Sequence, residues 1–100
     1  MESQVLYFEI TIPEESIDVK ELKAWLEENC SKWAFQVQKN DQTFLPEYHL
    51  GIKMKKKIRP NTLIRKLVPD DWNVKATKID WDDIINPKNR IKGPWVSWED

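Results

Sequence analysis

From Gln4 to Ile12 apolar and polar positions alternate, with Leu6, Phe8, Ile10 and Ile12 on one face and Val5, Tyr7 and Glu9 on the other. This period of two, rich in β-branched and aromatic residues, predicts a strand that ends at Pro13. Ser16 or Asp18 can cap a helix next, because their side-chain oxygens accept the free amides of a first turn. In that helix Val19, Leu22, Leu26 and Cys30 fall at helical spacing with Trp25 beside them, while Lys20, Glu21, Lys23, Glu27 and Glu28 lie outside. The pattern is that of an amphipathic helix packed on a sheet. Alternation returns from Lys32 to Lys39, where Trp33, Phe35 and Val37 share one face and Ala34, Gln36 and Gln38 the other. Asn40-Asp41-Gln42 is a turn signal, and a loop through Pro46 leads to a strand around Tyr48. The resulting hairpin brings Gln38 near Glu47 and His49.

Beyond that strand, Arg59-Pro60-Asn61-Thr62 reads as a helix start, with Leu63, Ile64 and Leu67 as the buried side of two short turns that stop at Pro69. Asp70-Asp71 predict a turn, and Trp72 to Ile79 a further strand with Trp72, Val74 and Ala76 on one face. Trp81 to Asn86 fits a short helix ended by Pro87, and Gly93-Pro94 marks a turn before Trp95-Val96-Ser97-Trp98. There is no internal repeat, low-complexity stretch or linker. The expected architecture is α+β: one domain over residues 1–100, with a mostly antiparallel sheet of about five strands flanked by helices.

A chain of 100 residues buries a single core. It contains no long apolar run, and Met1 to Gln4 lack the cationic start and apolar block of a signal peptide, so an intracellular protein without a membrane span is expected. The lone cysteine, Cys30, forms no internal disulfide and reads as a partly buried small hydrophobe near a helix end. The net charge of −1 conceals a strong asymmetry. Residues 1–30 carry eight acids against two lysines, whereas residues 51–68 carry seven cations and no acid. One face suited to a polyanion and another that repels it would result.

The stretch from Glu47 to Lys57 combines these themes. In an extended strand Glu47 and His49 share a face, opposite Tyr48 and Leu50. A carboxylate and an imidazole side by side can hold a divalent ion, and a lysine cluster next to them suits a phosphodiester.

Five segments, in order and at matching spacing, resemble those of a known family. Tyr7-Phe8-Glu9-Ile10-Thr11 is similar to a first-motif strand of the Phe-Thr-Leu type. Lys32 to Lys39 is close to Lys-Trp-x-Phe-Gln-x-Glu-Lys, and Glu47 to Lys57 aligns without gaps to His-Tyr-Gln-Gly-Arg-x-Ser-Leu followed by lysines. Asn61-Thr62-Leu63 is similar to Ser-Thr-Leu, and Arg90-Ile91-Lys92-Gly93-Pro94-Trp95 to Arg-Val-Glu-Gly-Pro-Trp. Together they cover nearly the whole chain. They resemble the N-terminal nicking domain of replication-initiator (Rep) proteins of small circular single-stranded DNA viruses and related plasmids, within the HUH endonuclease superfamily.

That resemblance implies an RRM-like HUH sheet and a metal site. The family's ligand positions fall on Gln38, Glu47 and His49, which keep the usual ligand types in permuted order and would hold Mg²⁺ or Mn²⁺. It also implies a nucleophilic tyrosine in a Tyr-x-x-Lys helix. Counted back from Gly93-Pro94-Trp95, the tyrosine and lysine positions are Asp83 and Asn86, or Ile85 and Lys88 with a shift of two. The chain has only Tyr7 and Tyr48, and Tyr48 points away from Glu47 and His49. The expectation is therefore a DNA-binding domain related to rolling-circle initiators but without tyrosine-dependent nicking, acting on single-stranded DNA or an origin hairpin in the nucleus or cytoplasm of a host cell. Lys53, Lys55, Lys56, Lys57, Arg59, Arg65 and Lys66 would contact phosphates, and exposed members of Trp72, Trp81, Trp95 and Trp98 would stack on bases. Two other readings stand beside it. One is a metal-dependent nickase or nuclease using Gln38, Glu47 and His49; the other is a protein-interaction module whose acidic helix, with Glu21, Glu27 and Glu28, meets a basic partner.

Overall fold

The computed structural model describes residues 3–98. The first strand, β1 (Val5–Pro13), passes through a 3₁₀ turn at Glu14–Ser16 into helix α1 (Val19–Asn29). Asp18 caps α1, its Oδ1 accepting the Glu21 amide at 2.8 Å. Strand β2 (Cys30–Lys39) comes directly after the helix and turns into β3 (Pro46–Ile58), the longest strand at 13 residues. A single α turn, α2 (Pro60–Thr62), runs on as a π turn over Leu63–Leu67. The chain closes with β4 (Asn73–Ala76), a short helix α3 (Trp81–Ile84), a 3₁₀ turn at Pro87–Asn89 and β5 (Arg90–Val96). The five strands form one antiparallel sheet in the order β4-β1-β3-β2-β5, the α+β arrangement expected from the sequence.

Strand alternation sends Phe8, Ile10, Ile12, Trp33, Phe35, Val37, Leu50 and Ile52 to one face, where they are buried under Leu22 and Leu26 of α1. Cys30, at the junction of α1 and β2, joins this core. The segment after β3 is tied to α1 by Trp25, whose Nε1–H donates to the Leu67 carbonyl at 3.0 Å and whose ring meets Trp72 edge-on at 5.0 Å.

The second face receives α3. Gly51 of β3 makes the approach possible, since a Cβ there would lie 2.8 Å from Ile79 Cγ2 and 2.9 Å from Ile84 Cγ1. Fully buried Gln36 then fixes the chain after α3. Its Nε2 donates to the Asn86 carbonyl at 2.9 Å, and its Oε1 accepts Arg90 Nε–H at 3.0 Å. Arg90 Nη2 also donates to the Ile85 carbonyl.

Several local expectations are corrected. Only Leu63 of the helical segment is buried; Ile64 and Leu67 are 41% and 38% exposed, because the π turn directs a single side chain inward. Trp72 is buried against Trp25 and is not free to stack on a base. The strand expected over Trp72–Ile79 spans only Asn73–Ala76, as the chain leaves the sheet to carry Ile79 over Gly51. Gly93-Pro94 lies inside β5 rather than in a turn before it. Proline lacks an amide for the ladder but is tolerated on an edge strand, and Trp95 stays in place by stacking on Phe35 at 4.9 Å.

Candidate nucleic-acid interface and the His49 cleft

Alternation along β3 puts His49 on the second face, where β1 lies beside it. His49 Nε2 is 3.1 Å from Glu9 Oε1. With the proton on Nε2 and donated to that carboxylate, Nδ1 carries a lone pair, and this atom is buried without a hydrogen-bond partner. His49 is 8% exposed and lines a cleft of about 140 Å³ together with Gln38, Asp83, Asn86 and Asn89.

The three positions expected to hold metal share this face, and Gln38 stands directly opposite Glu47 in the β2–β3 ladder. Their side chains do not converge as a trio. Glu47 Oε2 accepts from Asn40 Nδ2 at 3.2 Å, and Glu47 is not among the residues lining the cleft. Gln38 Oε1 accepts Gln36 Nε2–H at 3.2 Å and keeps a second lone pair. Among the described residues no group of three or more His, Cys, Asp and Glu side chains could hold a metal ion, so a site here would have to recruit an amide oxygen such as that of Gln38. The donors around the cleft, one imidazole nitrogen with carboxylate and amide oxygens, fit a hard divalent ion.

Asp83 and Asn86, the positions aligned with the expected tyrosine and lysine, both line this cleft. Tyr48 lies on the opposite face with its ring edge-on to Phe35. Burial, and after it the nearby Glu14 and Asp18 carboxylates, pushes the Tyr48 phenol above its ordinary range, so the group stays protonated.

The cations occupy the far end of β3 and the helical segment after it. Lys55, Lys56 and Lys57 are exposed and line a groove of about 390 Å³ with Ile58, Leu67 and the end of α1. Arg59 precedes α2, and exposed Arg65 and Lys66 sit in the last turn of the π segment, where they complement the free carbonyls. Lys53 diverges onto the second face, with its Nζ 5.9 Å from the Tyr7 ring centroid. Tyr7 is 38% exposed and lines a second groove of about 340 Å³ with Lys78, Ile79 and Trp81. Trp81 is half-buried and shares the Lys32 ammonium with Trp98, at 4.5 and 4.8 Å from the two rings.

Sequence reasoning missed Glu9 and Tyr7 as members of these sites. Alternation in β1 does place both outside the core. Antiparallel pairing across 40 or more residues ties them to His49 and Lys53, with Thr11 opposite His49 and Tyr7 opposite Lys53. Compared with known proteins, the chain matches no protein-family model and no curated protein.

Proposed function

We propose that the chain is a Rep-like domain that binds single-stranded DNA without cutting it through a tyrosine. One observation carries this reading: an exposed cationic ridge, Lys55 to Lys57 with Arg59, Arg65 and Lys66, adjoins a sheet face that offers Tyr7 and Trp81 beside Lys53 and Lys78. Lysines neutralise phosphates and release counterions, while half-open aromatic rings accept bases of any sequence. Asp83, standing in the cleft where a nucleophilic phenol would be needed, argues against covalent nicking.

Polarisation of a labelled oligothymidylate tests the proposal. Affinity is expected to fall with salt at a log–log slope of up to about −5 if all seven cations engage phosphates, at about −0.7 for each contact. K55E/K56E/K57E is expected to weaken binding by more than about tenfold, and Tyr7→Ala by roughly fivefold or more. Binding that ignores salt, or no binding at all, contradicts the reading.

The orphaned Nδ1 of His49 favours a second reading, a metal-assisted nuclease. Nδ1, the Gln38 amide oxygen and Asp83 would hold the ion, whose chemistry is to polarise a phosphoryl oxygen and acidify a bound water. Glu9 orients the ring through Nε2. If so, Mn²⁺ raises the melting temperature of the wild type but not of His49→Ala, and a labelled single strand is cut only by the former. An identical melting temperature with and without Mn²⁺ removes this reading.

A further inference from the structure

On the second face, Tyr7 of β1, Lys53 of β3 and Lys32 of β2 stand in one row across the sheet. Tyr7 and Lys32 are both Cα partners of Lys53, so the outer two lie about 10 Å apart, twice the usual spacing of strands. The lysines are therefore direct cross-strand neighbours, an arrangement in which like charges repel. The ion pairs found among the described residues, His49–Glu9 and Lys92–Glu14, involve neither of them. Each ammonium rests against aromatic rings instead. Lys53 Nζ is 5.9 Å from the Tyr7 centroid, and Lys32 Nζ is 4.5 Å from that of Trp81 and 4.8 Å from that of Trp98.

Ring faces attract an ammonium but do not neutralise it. Two adjacent positive charges without a carboxylate are suited to one anion held between them. Lysine meets an anion as a point charge, which serves a tetrahedral phosphate, whereas a planar carboxylate is matched best by the fork of an arginine. Rings on both sides of that anion reproduce the layout of a dinucleotide step, with a phosphate in the middle and a base to either side. Tyr7 and Trp81 also line the groove of about 340 Å³, and Trp98 meets Trp81 edge-on at 5.5 Å. Stacking on such rings accepts any base.

We propose that Lys32 and Lys53 clamp a single phosphodiester of a bound strand, with the flanking bases splayed onto Tyr7 on one side and the Trp81–Trp98 pair on the other. The ammonium groups move from the rings to the phosphate oxygens, and the bases take their places on the ring faces. This rests on the single-strand reading and deepens it, adding one defined dinucleotide step to the phosphates met by the ridge at Lys55 to Lys57.

The test titrates the whole chain with the dinucleotide thymidylyl-thymidine and with its methylphosphonate analogue, whose bridging group is uncharged. NMR follows the indole N–H signals of Trp81 and Trp98. Both should shift saturably with the dinucleotide, and the analogue should bind at least about fivefold more weakly. Lys32→Gln/Lys53→Gln should weaken the dinucleotide by a similar factor. Lys20→Gln/Lys23→Gln, the same loss of charge on α1 across the sheet, should not. For labelled oligothymidylate, Lys32→Gln/Lys53→Gln should make the salt slope shallower by about 0.7, the value for one shared phosphate, against about 1.4 for two separate ones. Thermal melts report whether each variant keeps its fold; the analogue comparison uses the wild type and stands whatever they show. Equal binding of dinucleotide and analogue, or a slope that changes by about 1.4 or not at all, overturns the clamp and leaves single-strand binding intact. A wild type that binds no oligothymidylate overturns both. Acetyl-Tyr-Glu-Tyr-amide bound as tightly as the dinucleotide at the same indoles also overturns the clamp, because the site then belongs to an acidic peptide.

Discussion

Burial disarms the single thiol. At the turn from α1 into β2, desolvation outweighs the opposing charge of Lys55 and pushes Cys30 from 9.0 up to about 12. The folded chain therefore holds this proton more tightly than the unfolded chain. The associated stability is intact below pH 9 and is lost as pH rises from 9 towards 12. Urea midpoints measured at pH 8 and pH 10.5 should fall for the wild type and fall less for Cys30→Ala, and an aromatic disulfide reagent at pH 8 should label Cys30 only when urea is added. The cysteine's inertness was readable from its helical spacing. The partner of His49 was not: Glu47 shares its face by strand alternation, but the carboxylate on its ring, Glu9, arrives from another strand. A period of two assigns a face, not a neighbour.

At the scale of elements, α3 depends on one missing methyl group. Gly51→Ala would drive a carbon into Ile79 and Ile84, which are anchored by the chain on both sides. Overpacking of this kind costs about 1–3 kcal/mol. A melting temperature lower by roughly 4 °C or more is expected for a domain of this size, and calorimetry checks it. The lift of α3 should also withdraw Asp83 and Asn86 from the His49 cleft. The short helix was legible from Trp81 to Pro87, and β1, α1, β2 and β3 from their periods. The limits of β4 and the course of β5 were not, because both depend on the residues that lie across the sheet. Thr77 still donates its amide to the Tyr7 carbonyl at 3.4 Å, and beyond it the chain turns so that Ile79 covers Gly51; Gly93-Pro94 stays in an edge strand because Trp95 is held on Phe35.

For the whole molecule, part of the acidic block of the sequence and the run Lys55–Lys57 come to lie near opposite ends of α1. Glu14 to Glu21 gather where the helix begins, and Lys55 to Lys57 line the groove beside Glu28 and Asn29, where it finishes. The acids at the start complement the helix dipole there, whereas Glu27 and Glu28 in the last turn oppose it, and Glu28 shares its groove with the lysines. The composition announced the two blocks; only packing of α1 on the sheet reveals that about 16 Å of helix separates them, at 1.5 Å per residue over 11 residues. Strand order has a further effect, on synthesis. Both outer strands, β4 and β5, come from beyond residue 72, while β1, β2 and β3 are finished by Ile58. A nascent chain emerging from the ribosome at that length already has the central three strands and α1 but two bare flanks, each a template on which another chain can add a strand. The segment beyond residue 72 therefore serves as the sheet's own guard against aggregation, and the interval before it emerges is when the sheet is most exposed to misassembly.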